Sequence, residues 1–91
     1  MSIYEKLKSK ENSISVTGLG YVGLPLALEF AKKFKVIGFD INTARVELMR
    51  QGIDPSKEIS SDEFKNRDIT FTSDPEDLKN AHFHIIGVPT D

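Results

Sequence analysis

Apolar residues fall along this chain in two alternating rhythms: short β-prone runs that break at glycine or a polar residue, and longer stretches with helical spacing. Ile14 to Thr17 is the first short run, and it breaks at Gly18. From Tyr21 to Lys33 the spacing predicts a helix, with Val22, Leu26 and Phe30 in one row and Gly23, Ala27 and Ala31 in a second. Pro25 fits the first turn, where a missing N–H costs at most about one hydrogen bond. Lys32 and Lys33 fall where the helix dipole favours cations. Lys35 to Asp40, carrying Val36, Ile37 and Phe39, reads as a second strand. Asn42 or Thr43 can cap a helix running to about Gln51, with Val46 and Met49 facing inward and Gly52 as its stop. Residues 53–67 are polar and hold one short helical signal, Ser60 followed by Glu63 at capping-box spacing. Ile69 to Thr72 reads as a third strand. Ser73-Asp74-Pro75-Glu76 is a helix start, with Pro75 in the first turn and Glu76 placed to reach back. Phe83 to Val88 is a fourth, largely apolar strand.

The resulting order, β-α-β-α-(α)-β-α-β, implies parallel strands joined by helical crossovers. Residues 1–13 form a polar lead-in in which Ile3, Tyr4 and Leu7 share a helical face; residues 14–91 form the body. The expected class is α/β, a doubly wound parallel sheet with strand order 3-2-1-4. Ninety-one residues suffice for one small domain and not for a second core.

Composition narrows the partners. A hydrophobic fraction of 38% with 29% charged residues belongs to a folded domain, which excludes disorder across the body. Net charge is -2, and the lysines form no concentrated basic face, so nucleic acid is not an expected partner. Without cysteine, the chain can make no disulfide, thiolate metal site or cysteine nucleophile. There is no signal-peptide pattern and no apolar run of about 18 residues, so no membrane partner is expected and the protein reads as cytoplasmic.

Gly18-Leu19-Gly20-Tyr21-Val22-Gly23 matches G-x-G-x-x-G, a weak string by itself. Here it ends a strand, opens a helix, and is followed about 20 residues on by Asp40 at the end of the second strand, the context a dinucleotide site requires. The glycines have separable tasks. Gly18 permits the tight turn, Gly20 has no side chain to hold a pyrophosphate off the backbone, and Gly23, with Ala27 and Ala31, lets the helix sit close to the sheet. Helix-start amides around Tyr21 and Val22 then face the anion. Asp40 can accept from the adenosine ribose hydroxyls and would repel a 2′-phosphate, which favours NAD over NADP; otherwise it is a solvated strand-end carboxylate or the cap of the next helix. Arg45, in the first turn of that helix, reads on chemistry alone equally well as a surface arginine.

The wording is more specific than the spacing. Residues Gly18 to Ala27 (GLGYVGLPLA) resemble the opening of the UDP-glucose/GDP-mannose dehydrogenase family, as do Gly38-Phe39-Asp40-Ile41-Asn42, Phe71-Thr72-Ser73-Asp74 and Val88-Pro89-Thr90, each in the expected place. The stretch Gly52 to Glu58 is similar to the branch acting on UDP-N-acetylhexosamines for surface polysaccharides. The resemblance implies a Rossmann-type domain in which the Val22 amide contacts the pyrophosphate, Asp40 and Arg45 address the adenosine ribose end, and Pro89 and Thr90 form a turn beside the cofactor. It also implies oxidation of a sugar C6 alcohol to a carboxylate by two NAD molecules through a cysteine thioester. The cysteine, the lysine and the sugar-binding residues of that chemistry belong to later domains. This chain therefore reads as the front of a longer, homo-oligomeric enzyme, with no catalytic residue of its own and inactive alone. Two positions depart from the family pattern: Asp91 follows Thr90 where proline is usual, and Ser15 and Thr17 stand where the first strand is usually apolar, which is expected to weaken it.

His82 and His84 share a strand face but lack a third ligand of metal-site spacing, so they read as strand-edge histidines. The acids Asp62, Glu63, Glu76 and Asp77 sit at helix starts, where caps and dipole explain them. A nucleotide-sensing regulatory module would use the same loop and acid without catalysis, but the Gly-Tyr-Val-Gly-Leu-Pro wording speaks against it. In a 3-hydroxyacid dehydrogenase the loop usually has methionine where Val22 stands.

Overall fold

The computed structural model describes residues 13–20 and 22–87; the lead-in 1–12, Tyr21 and residues 88–91 lie outside the described part. Strands β1 (Ser13–Thr17), β2 (Lys35–Phe39), β3 (Ile69–Thr72) and β4 (Phe83–Ile86) form one parallel sheet in the order β3-β2-β1-β4. This is the expected 3-2-1-4 arrangement.

Side chains alternate across the strands. Ile14 and Val16 of β1, Val36 of β2 and Phe71 of β3 face the helices α1 (Gly23–Phe30) and α2 (Thr43–Arg50), which supply Leu24, Ala27, Leu28, Val46 and Met49 to a single core. Full burial of each larger side chain stabilises the fold by roughly 1.5–3 kcal/mol. The inner surface of α1 is the expected small-residue row, Gly23, Ala27 and Ala31, together with Leu24 and Leu28 one position further round. In the other expected row Val22 is 54% exposed and Leu26 half-buried, while Phe30, also half-buried, packs against the margin of the core.

Local chemistry sets the ends. The helix predicted to Lys33 stops at Phe30, and residues 31–33 form turns, so Lys32 and Lys33 follow the last turn; Lys32 instead pairs with Glu29 at 2.9 Å. Asn42 caps α2, its side chain accepting the Arg45 N–H. Beyond Arg50, Gly52 takes φ +79°, its N–H reaches the Met49 carbonyl, and the Ile53 N–H reaches that of Leu48. This pair of bonds is a Schellman motif, and glycine is the residue that meets its left-handed conformation without strain.

Ser60 precedes a 3₁₀ turn, Ser61–Phe64, with no side-chain capping bond, so the expected capping box does not form; Glu63 pairs with Arg67 at 3.2 Å. The helix predicted after Ser73 is the 3₁₀ segment Pro75–Asn80. Asp74 caps it by accepting the Glu76 N–H, and the Glu76 carboxylate reaches Lys79 at 2.8 Å rather than back to the cap. β4 runs from Phe83 to Ile86 and Gly87 follows it outside the strand; the expected end, Val88, lies outside the described residues.

Ser15 is fully buried, and its polarity is matched: Oγ lies 2.6 Å from Nδ1 of His84, its partner on β4. Ser13 is satisfied differently, its backbone N–H donating to His82 Nδ1 and its Oγ to the Asn80 carbonyl. Ser15, which departs from the usual apolar pattern, thus belongs to a β1–β4 seam whose other side carries the two histidines. A buried hydroxyl with a partner carries little net cost.

Candidate functional site

At the end of β1, Gly18 adopts φ +88°, which turns the chain out of the sheet, while its N–H still bonds the Phe39 carbonyl at 2.9 Å. The Leu19 side chain drops into the core with no exposed surface. Gly20 follows, and a Cβ built there meets no atom within 4 Å. Its carbonyl accepts the Leu24 N–H at 3.1 Å, the first bond of α1. Val22 stands at the N-cap without a side-chain capping bond, and no acid lies in the first turn. The start of α2, by contrast, is capped by Asn42. The positive end of the α1 dipole, uncapped by a side chain, therefore faces an unobstructed glycine, the arrangement that receives an anion.

Asp40 leaves β2 beside this loop. Its Oδ2 accepts the Leu19 N–H at 3.0 Å and its Oδ1 the Asn42 N–H at 2.9 Å. A carboxylate offers about four acceptor positions, so one remains on each oxygen for a vicinal diol. The reading of Asp40 as helix cap does not hold, because Asn42 takes that role. Nor is Asp40 a freely solvated acid. Arg45 is half-buried, and its Nη2 donates to the Leu19 carbonyl at 3.1 Å. Of the sequence-predicted residues, Gly18, Leu19, Gly20, Val22, Gly23, Asp40 and Arg45 are drawn together; Tyr21, Pro89 and Thr90 lie outside the described residues.

Gly87 is the residue sequence reasoning passed over. A Cβ there would lie 2.7 Å from Gly23 Cα and 3.1 Å from the Gly18 oxygen, so three chain segments meet at Gly18, Gly23 and Gly87. The available signal was a glycine inside an apolar strand run, which marks close backbone approach.

Away from the loop, a cleft of about 530 Å³ between Met49, Phe64 and Arg67 shares no lining residue with it. The cleft's cations are paired, Arg50 with Glu47, Lys65 with Asp62 and Arg67 with Glu63. Among the described residues, no helix is long and apolar enough to cross a membrane.

Fold and loop together define a Rossmann-type dinucleotide-binding domain. The family described as UDP-glucose/GDP-mannose dehydrogenase, NAD binding domain, matches residues 12–91, and the chain belongs to that family. Its cofactor is NAD. UDP-N-acetyl-D-glucosamine 6-dehydrogenase of Pseudomonas aeruginosa is 48% identical over 82 residues, covering 89% of this chain and 19% of that protein. Protein CapL of Staphylococcus aureus is 51% identical over 78 residues, covering 86% of this chain and 18% of that one. Among solved structures, UDP-D-ManNAc dehydrogenase from Pyrococcus horikoshii superposes with a TM-score of 0.70 at 32% identity, over 84% of this chain and 20% of that one. The chain thus spans about a fifth of the length of the curated relatives it matches. These comparisons lend no support to a regulatory, non-catalytic reading.

Proposed function

We propose that this domain holds NAD with the pyrophosphate against Gly20 and the Val22 amide at the N-terminus of α1, and the adenosine ribose diol on the two remaining acceptor positions of Asp40, beside Arg45. One observation carries the reading: Gly20 has neither a positive φ nor a neighbour that would exclude a side chain, so the fold itself does not require glycine there. A ligand that needs the space does. NAD supplies a hydride acceptor when bound. The part of the reaction assigned to this chain is to orient the dinucleotide and to select it by charge. The wider enzyme oxidises the C6 alcohol of a UDP-N-acetylhexosamine to a carboxylate, a substrate class supported by the names of the relatives.

Calorimetric titration tests the assignment. NAD binds more tightly than NADP, since the Asp40 carboxylate repels a 2′-phosphate. Asp40→Ala narrows the gap, each lost hydrogen bond to a charged acceptor being worth roughly 1.5–3 kcal/mol. Asp40→Asn leaves an oxygen for the Leu19 amide while removing the charge, which separates ribose selection from loop support. Equal affinity of the unsubstituted protein for both cofactors overturns the assignment.

A further inference from the structure

We infer that Arg45 is a positioning residue for the pyrophosphate loop, aiming the Gly20 N–H through the Leu19 carbonyl. This rests on the dinucleotide reading above and gives Arg45 a task in the loop in place of the ribose contact that the resemblance implies. Leu19 stands between two glycines, and backbone torsions at glycine are the least restricted in the chain. A peptide so flanked keeps one orientation only if something holds it. Three contacts do. The Leu19 side chain is locked in the core, its N–H is held by Asp40 Oδ2 at 3.0 Å, and its C=O is held by Arg45 Nη2 at 3.1 Å.

The carbonyl contact matters most for the ligand. The Leu19 C=O and the Gly20 N–H belong to one planar trans peptide and point in opposite directions. A guanidinium fixing the carbonyl therefore fixes the amide, on the side away from Arg45. Asp40 and Arg45 lie 21 and 26 residues beyond Leu19, so β2 and α2 together set the geometry of a loop that belongs to β1 and α1. Ribose end and phosphate end are linked through a single residue.

Two measurements test the clamp. In ¹⁵N-labelled protein without ligand, Arg45→Ala shifts or broadens the Gly20 amide resonance, while Arg45→Lys, which retains one donor, restores much of it. In titrations, Arg45→Ala weakens ADP and NAD roughly tenfold or more, the scale of one lost hydrogen bond to a charged group, and weakens adenosine about twofold at most. An unmoved Gly20 resonance together with lost ADP affinity assigns Arg45 to direct phosphate contact and overturns the inference. Equal fractional losses for adenosine and ADP overturn it in favour of a ribose contact alone. Failure of the unsubstituted protein to bind either NAD or ADP overturns the dinucleotide reading instead, and the ligand-free resonance still reports on the clamp.

Discussion

A Cβ built on Gly23 would lie 1.7 Å from the Gly18 carbonyl oxygen and 2.8 Å from its carbon, whereas one built on Gly20 meets nothing within 4 Å. Two glycines three residues apart therefore fail in opposite ways when replaced. Gly20→Val is expected to abolish dinucleotide binding, because the isopropyl group fills the space the pyrophosphate needs, and to leave the circular dichroism spectrum and melting temperature nearly unchanged. Gly23→Ala is expected to destabilise the fold, since the clash is with backbone that cannot swing aside, at a cost of more than about 1–3 kcal/mol, the usual range for overpacking. A collapse of the dichroism spectrum in Gly20→Val would show that Gly20 is structural after all. The separate tasks of these glycines were legible in the sequence because the motif fixes its own geometry over six residues. Gly87 was not, since its reason for being glycine lies on Gly18 and Gly23, more than sixty positions away.

The segment joining α2 to β3 owes its shape to Asp54, which is buried although it carries a charge. Burial by itself would raise its carboxyl pKa. The Ser56 N–H and Oγ–H, the Ile59 N–H and the Glu58 N–H, each at 2.9 Å, outweigh that and hold the pKa below its ordinary value of 3.8. A carboxyl with a depressed folded-state pKa contributes stability that is complete above the unfolded value and is lost as pH falls through the folded one. The segment should accordingly keep its order at pH 7 and loosen only in acid, from about pH 4 downward. Asp54→Asn is expected to cost about 1.5–3 kcal/mol at pH 7 and to flatten the acid limb of stability, read by urea denaturation across pH. A mutant whose acid limb matches that of the unsubstituted protein would remove Asp54 from this role. From sequence the segment showed only as polar, because side-chain-to-backbone bonds leave no periodic trace. The cap at Asn42 and the stop at Gly52 were legible, since each depends on one residue type at one helix end. The Ser60–Glu63 box had the right letters, but a single 3₁₀ turn follows and Glu63 is drawn to Arg67.

At the scale of the whole molecule, the strand order followed from the alternation of elements together with the glycine loop, because parallel strands with right-handed crossovers leave few alternatives and a Rossmann-type loop selects the 3-2-1-4 order among them. The β1–β4 seam did not: Ser15 and His84 are 69 positions apart, and nothing local ties a buried hydroxyl to an imidazole. That seam fixes one edge of β4. Among the described residues its other edge faces no strand, Ile86 is 69% exposed, and Phe83 and Ile85 are half-buried. An exposed apolar strand edge presents unpaired N–H and C=O groups to any similar edge it meets. The chain is therefore expected to self-associate through β4, with a mass by light scattering that rises across a concentration series. Ile86→Lys should bring that mass down toward the monomer without loss of helical signal, because the side chain lies on the surface and the charge makes edge pairing unfavourable. A constant monomeric mass at high concentration, combined with a cooperative melt above about 60 °C, near the upper end for domains of mesophiles, would show instead that β4 needs no partner on its free side.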